Sequence, residues 1–437
     1  MSFEEFNLHP RIAAGVKSAG FETPTPIQCQ AIPEALAGRD VLGLAQTGTG
    51  KTAAFVLPIL QRLLDGPRGR VRALILTPTR ELAEQTHDDI RTLGSKANIR
   101  SMTIYGGVGM NPQIKKLEAG VEIIVACPGR LLDHMGQGLV DLSTVEVLVL
   151  DEADRMLDMG FMPDVRRIIK KVPKERQTLL FSATMPEEIL RLTRDMMKDP
   201  VTVQVDHSRP AKTVSHSLYL VEPHLKTTLL MALLKANEMD SVLVFTRTRE
   251  RTRRVAHQLL RAGFNAAFIE GGMPQSKRQA ALKGFRDGTY QILVATDIAA
   301  RGIDVLSISH VINYDMPENA DAYTHRIGRT GRAERTGRAL SLVTQADAPF
   351  VRSFESEMGV ELELCELEDF DYNAPPPPRH AGVPRGGNGR RPAQGHSASG
   401  GARKGSGGNR RRGDGHTGGN GSGNRRPRRR PRQAATA

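Results

Sequence analysis

The feature that most constrains the fold is a short apolar run without alternation, Val147-Leu148-Val149-Leu150, that stops in Asp151-Glu152-Ala153-Asp154. A strand with only apolar side chains is buried on both faces, the condition of an inner strand in a parallel sheet clad in helices. Comparable runs occupy residues 41–44, 71–77, 121–126 and 178–181, each followed by a helical stretch. The pattern lapses near Asp206 and restarts at 241–245, 291–295, 309–313 and 339–343, with a last helix over 346–358. Strands alternating with helices predict an α/β class with parallel sheets. A chain of 437 residues is too long for one core, so two such domains are expected. The boundaries read as 1–205 and 216–370, joined by a linker over 206–215 and followed by a tail over 371–437.

Composition separates that tail from the rest. The formal charge is +13, yet 15 of the 61 Lys and Arg, and a single acid (Asp414), lie between Ala374 and Ala437. That stretch has no Phe, Trp or Tyr and is rich in Gly, Pro, Ser and Asn, so it cannot bury a core and is expected to be disordered. Its clusters Arg410-Arg411-Arg412 and Arg425-Arg426-Pro427-Arg428-Arg429-Arg430 suit phosphate contact, against the alternative of a solvated solubility tail. Cys29, Cys127 and Cys365 give neither a disulfide framework nor zinc spacing, as in a reducing compartment. With no leader at the amino terminus and no run long enough to span a bilayer, the expectation is a cytoplasmic protein without membrane contact.

Chemistry is concentrated at the carboxyl ends of the expected strands, where open parallel sheets bind ligands. The run 41–44 leads into Ala45-Gln46-Thr47-Gly48-Thr49-Gly50-Lys51-Thr52 and then a helix. Glycines there turn backbone N–H groups toward phosphate oxygens, Lys51 reaches the β and γ phosphates, and the Thr52 hydroxyl ligates Mg²⁺. Ala45 stands where the first glycine of such loops is usual. The three carboxylates of 151–154 read either as a site for a hard cation and an activated water or as an acidic helix start. Between two prolines and the next helix, Gln28 reads either as part of a turn or as a planar amide that meets a base edge. The second domain has no phosphate loop but carries His325-Arg326-Ile327-Gly328-Arg329-Thr330-Gly331-Arg332. Arg329 and Arg332 read as arginine fingers supplied within the chain, or as a surface charge run.

Taken in order, these segments resemble the DEAD-box ATP-dependent RNA helicase family, and among its members the bacterial RhlE-type subgroup. The likeness spans residues 3–345: Phe3 with 20–28, then 45–52, 78–83, Gly106-Gly107, 128–130, 151–154, 182–184, 242–246, Gln275 with Arg278, 296–304 and 325–332. The resemblance implies two tandem RecA-like domains with parallel sheets, an RNA-stimulated ATPase, and ATP with Mg²⁺ as cofactors. It implies that Gln28 reads adenine with Phe3 or Phe21 beside it, and that residues 45–52 hold phosphate. It further implies that Thr52 and Asp151 hold Mg²⁺ and Glu152 activates water, while Asp304 contacts the ribose and Arg329 and Arg332 are the fingers. Asp154, Ser182, Thr184 and His325 would couple this site to RNA. RNA would touch Thr79, Arg80, Gly107, Gly129, Arg130, Gln275, Arg278 and Thr296, mainly through phosphate and sugar, which position without reading sequence. Cys127 stands where the family often has Thr, which removes one hydroxyl contact.

The resulting expectation is a monomeric enzyme that separates short RNA duplexes or remodels RNA–protein complexes, with ribosome-assembly or RNA-decay proteins as partners. Competing readings are an ATP-gated RNA clamp, a tail-driven annealing chaperone and a DNA helicase. RNA over DNA follows from the resemblance and from expected 2′-hydroxyl contacts.

Overall fold

The computed structural model describes residues 2–45, 48–205, 214–237, 239–300, 308–330, 337–358 and 362–376. The first sheet contains β1 (Val41–Leu44), β2 (Ala73–Leu76), β3 (Ser101–Ile104), β4 (Ile123–Ala126), β5 (Val147–Asp151), β6 (Gln177–Ser182) and β7 (Val201–Gln204). Its order is β3-β4-β2-β5-β6-β1-β7, and every pairing is parallel. The second sheet contains β8 (Val214–Leu220), β9 (Val242–Phe245), β10 (Ala266–Ile269), β11 (Ile292–Ala295), β12 (His310–Asn313), β13 (Gly337–Val343) and β14 (Glu363–Leu364). Its order is β10-β11-β9-β12-β13-β8-β14, again all parallel. Helices clad both faces, which is why the inner strands need apolar residues in succession. In β5, Val147 and Val149 enter the core on one face, with Phe55 and Leu57 of the helix Lys51–Leu63. Leu148 and Leu150 enter the core on the other, with Leu131, Met162 and Val165.

The structure moves two boundaries. Val214 pairs with Gly337, so residues 214–215 belong to the second sheet rather than to the linker; the remainder of the linker, 206–213, lies outside the described residues. The second lobe runs on past residue 370 to Pro376, because Tyr372 and Ala374 pack on its core beside Phe370. The Tyr372 hydroxyl closes this turn by accepting from the Leu367 N–H at 2.9 Å. The expected tail beyond 376 lies outside the described residues. No helix among the described residues is long and apolar enough to cross a membrane.

Candidate active site and nucleic-acid face

β1 enters the phosphate loop through Ala45, which is fully buried and donates its N–H to the Ser182 carbonyl at 3.0 Å. Gly48 and Gly50 have φ of 87° and 92°, the left-handed region that glycine tolerates. Gln46 and Thr47 lie outside the described residues. At Gly50 a second constraint applies. A Cβ there would stand 2.5 Å from Gln28 Nε2 and 2.8 Å from Thr25 Oγ1. Gln28 is 1% exposed; its Oε1 accepts from the Thr25 N–H at 2.9 Å and its Nε2 donates to the Gly50 carbonyl at 3.0 Å. Beyond these bonds, one N–H and one lone pair of the amide remain for a base. Phe3 and Phe6 are buried by the 3₁₀ turn Phe3–Phe6. Phe3 meets Phe21 edge to face, with centroids 5.9 Å apart, and Phe21 stays about half-open to solvent, 37% exposed.

Lys51 and Thr52 begin the helix that follows. Among the described residues, Lys51 Nζ is buried without a hydrogen-bond partner, as is Asp151 Oδ1 at the end of β5. Two buried, opposite and unsatisfied groups are costly in isolation, so the site is built for a ligand that satisfies both. Burial pushes Asp151 up to about 6; Lys51 opposes that rise and Glu152 adds to it.

The three carboxylates do not form one cage, and the described residues contain no cluster of three or more His, Cys, Asp or Glu arranged to hold a metal. Glu152 takes a left-handed backbone, φ 54° and ψ 54°. Its Oε2 accepts from Arg155 Nη1 at 2.6 Å, with both groups buried. Asp154 serves the turn after β6. Its Oδ2 accepts from the Ala183 and Thr184 N–H groups at 3.1 and 3.0 Å and from Thr184 Oγ1 at 3.3 Å. The Asp154 N–H donates to Ser182 Oγ at 3.2 Å. Asp154 and Thr184 then face His325, Arg326 and Arg329 across a cavity of about 500 Å³ between the lobes. Arg326, in the helix Ala320–Ile327, forks onto Asp297 at 2.6 and 2.7 Å and lies over the Phe245 ring at 5.0 Å. Asp304 and Arg332 lie outside the described residues.

The residues expected to meet RNA form two groups at the strand ends. In the first lobe Thr79 caps the helix Arg80–Leu93, accepting from the Leu82 N–H at 3.3 Å. The Arg80 guanidinium lies over Gly107, in the space a Cβ there would need. Arg130 donates to the Val108 carbonyl at 3.1 Å, and nothing stands within 4 Å of a Cβ placed on Gly129. Cys127 is buried with its thiol pushed up to about 12 by that burial, so it packs as a neutral side chain and its helix lacks a side-chain cap. In the second lobe Gln275, Arg278 and Thr296 are all largely buried. The groups meet: Arg80 Nη1 donates to Gln275 Oε1 at 3.2 Å. Glu81 accepts from Gln275 Nε2 at 3.2 Å and from Arg278 Nε at 2.5 Å. Glu81 and Arg155 had no role in the sequence reading. In sequence Glu81 is indistinguishable from any acid in a first helical turn.

The fold and site define a two-lobed phosphate-loop protein with a cationic, glycine-lined face at its strand ends. Residues 25–192 match the DEAD/DEAH box helicase family and residues 225–334 the helicase conserved C-terminal domain. The chain is 44% identical to the ATP-dependent RNA helicase RhlB of Pseudomonas syringae, over 83% of this chain and 94% of that one. It is 43% identical to the ATP-dependent RNA helicase CshA of Limosilactobacillus reuteri, over 83% and 73%. Among solved structures it resembles Saccharomyces cerevisiae Dbp5 bound to RNA and ADP BeF3, with a TM-score of 0.75 at 30% identity over 83% and 95% of the two chains. The chain belongs to the DEAD-box ATP-dependent RNA helicases.

Proposed function

We propose that this protein is an RNA-stimulated ATPase that hydrolyses ATP to ADP and phosphate with Mg²⁺, and that closure of its lobes separates short RNA duplexes in the cytoplasm. The observation that carries this reading is the pair of buried, unsatisfied groups Lys51 Nζ and Asp151 Oδ1 beside a glycine loop. Thr52 and Asp151 would hold the Mg²⁺, a set that suits an ion bound by one carboxylate, one hydroxyl and substrate phosphates rather than by a protein cage. Bound there, the ion supplies charge neutralisation at the transferred phosphoryl group. Lys51 binds the phosphates, and Glu152, steadied by Arg155, takes the proton of the attacking water. Arg329 supplies positive charge from the second lobe, so hydrolysis needs closure. Asp154 ties its own helix to the Ser182–Thr184 turn, which lines the same cavity as His325, and so relates the nucleotide side to the RNA side. RNA is held by Thr79, Arg80, Gly107, Gly129, Arg130, Gln275, Arg278 and Thr296 without sequence preference.

The contacts of Arg80 and Glu81 with Gln275 and Arg278 favour a second reading, an RNA clamp that turnover only resets. A strand-separation assay on short RNA duplexes, with Glu152→Gln as control, decides: ATPase activity without separation supports the clamp, and ATPase activity in Glu152→Gln refutes the assignment of the base.

A further inference from the structure

Arg130, His134 and Gln137, in the helix Pro128–Gly136 and at its end, follow the four- and three-residue spacing of one helix face. That face meets the segment 105–113, which leaves β3, turns through Gly106-Gly107 and enters the helix Asn111–Glu118. At one end Arg130 Nη1 donates to the Val108 carbonyl at 3.1 Å, and at the other Gln137 Nε2 reaches Met110 Sδ at 3.6 Å. Between them lies His134, fully buried, whose Nε2 stands 2.9 Å from Gln113 Oε1. Gln113 Nε2 in turn donates to the Tyr105 carbonyl at 3.0 Å. The glycine pair is therefore bracketed: the carbonyl before it is held through His134 and Gln113, and the carbonyl after it by Arg130.

The chemistry of this relay leaves one arrangement. A carbonyl only accepts, so the Gln113 amide must turn its N–H to Tyr105 and its oxygen to His134. The imidazole must then carry its proton on Nε2 and keep a bare lone pair on Nδ1. Nδ1 is buried and has no partner among the described residues. Burial, reinforced by Arg130, holds the imidazole below the ordinary histidine range, so it sits there neutral. An unmet lone pair in the interior is a cost that an apolar side chain would avoid. What the histidine supplies in return is the Nε2 donor that fixes which way Gln113 faces. Neither residue belongs to the segments that carry the family likeness.

We infer that His134 and Gln113 are positioning residues for strand binding: they tie the Gly106-Gly107 turn to the helix that carries Gly129 and Arg130, and so set the spacing between two contacts on one RNA strand. The inference rests on the reading of Gly107, Gly129 and Arg130 as RNA contacts, so its test carries an arm for that reading. ATPase activity of the full-length chain at saturating ATP and Mg²⁺ is measured against oligouridylate concentration. His134→Ala should raise the half-maximal RNA concentration by about tenfold, the upper range for one hydrogen bond, and leave kcat at saturating RNA unchanged. Gln113→Met keeps the side-chain volume and removes both bonds; it should show the same rise, and the double variant little more. His134→Gln, whose amide can return an N–H to Gln113, should recover most of the loss. Affinity for a fluorescent ATP analogue without RNA should be unchanged in all of them. Arg130→Ala should also raise the half-maximal RNA concentration. Wild-type RNA dependence in His134→Ala and Gln113→Met, with a rise in Arg130→Ala, overturns the inference alone. Wild-type behaviour in Arg130→Ala overturns the reading of the RNA face and the inference with it. Equal losses in His134→Gln and His134→Ala overturn the role of the donor, and a matching fall in kcat or nucleotide affinity shows that the pair acts through the fold, which overturns it as well.

Discussion

Replacing Glu81 by alanine tests how lobe closure is held. Its carboxylate receives Gln275 Nε2 at 3.2 Å and Arg278 Nε at 2.5 Å, and the Glu81 and Arg278 side chains are each 10% exposed. Glu81 belongs to the first lobe and both donors to the second, so these bonds exist only while the lobes are together. A hydrogen bond to a charged group is worth about 1.5–3 kcal/mol. Opening returns all three side chains to water, which leaves about 2 kcal/mol for the set as a whole. That is roughly a 30-fold shift in the closing equilibrium. The RNA concentration giving half-maximal ATPase should therefore rise by about that factor in Glu81→Ala. Nucleotide binding by the first lobe in the absence of RNA should not change. Fluorescence energy transfer between dyes on the two lobes, titrated with RNA at saturating ATP analogue, reads closure directly. Adding Arg278→Ala should cost only what its proposed RNA contact contributes, because its bond to Glu81 is already lost. Closure of Glu81→Ala at the wild-type RNA concentration would refute the reasoning.

Three further outcomes are expected. Glu152→Gln should retain ATP-dependent RNA binding and lose turnover by about 10²- to 10⁴-fold in single-turnover hydrolysis. Burial raises Asp151 to about 6, above the ordinary 3.8, so the folded state binds the extra proton between those values. Stability from that proton is present below pH about 4 and lost as pH rises through about 6. Nucleotide-free Asp151→Asn should thus be more stable than wild type by on the order of 2 kcal/mol at pH about 8 and no more stable near pH about 4, as read by thermal unfolding. Ending the chain after Pro376 should lower the salt slope of RNA binding by about 4 units if on the order of six tail cations engage a single strand. An unchanged slope rules that out.

The inner strands were legible in sequence because burial on both faces leaves no alternation, as in β2, β4, β5 and β11. The strands that escaped notice lie toward the edges. β3 (Ser101-Met102-Thr103-Ile104) and β8 (Val214-Ser215-His216-Ser217-Leu218-Tyr219-Leu220) alternate, with one face less covered, and β7 is exposed at Thr202 and Gln204. β8 was therefore partly assigned to a linker. The phosphate loop and the acidic run were legible because their residues are contiguous. The separate roles expected of Asp151, Glu152 and Asp154 came from the family resemblance and not from the run itself, whose geometry depends on the left-handed turn at Glu152 and on a partner, Thr184, thirty residues away. Nothing local in the sequence announces that a 3₁₀ turn buries Phe3 and Phe6 and sets Phe3 against Phe21. Glu81 stayed hidden because its partners are in the other lobe.

The amide of Gln28 has a consequence for how the phosphate loop is held. One end completes a helix cap at Thr25 and the other pins the carbonyl of Gly50. The residue that the resemblance assigns to a base is therefore also a rivet between the helix Pro26–Leu36 and the phosphate loop. Gln28→Glu keeps an acceptor for the cap but gives up the donor to Gly50, freeing the loop while leaving the helix start intact. On the proposed reading, a variant at this position that relaxes base preference also loosens the loop proposed to hold phosphate, so selectivity and affinity should drift together.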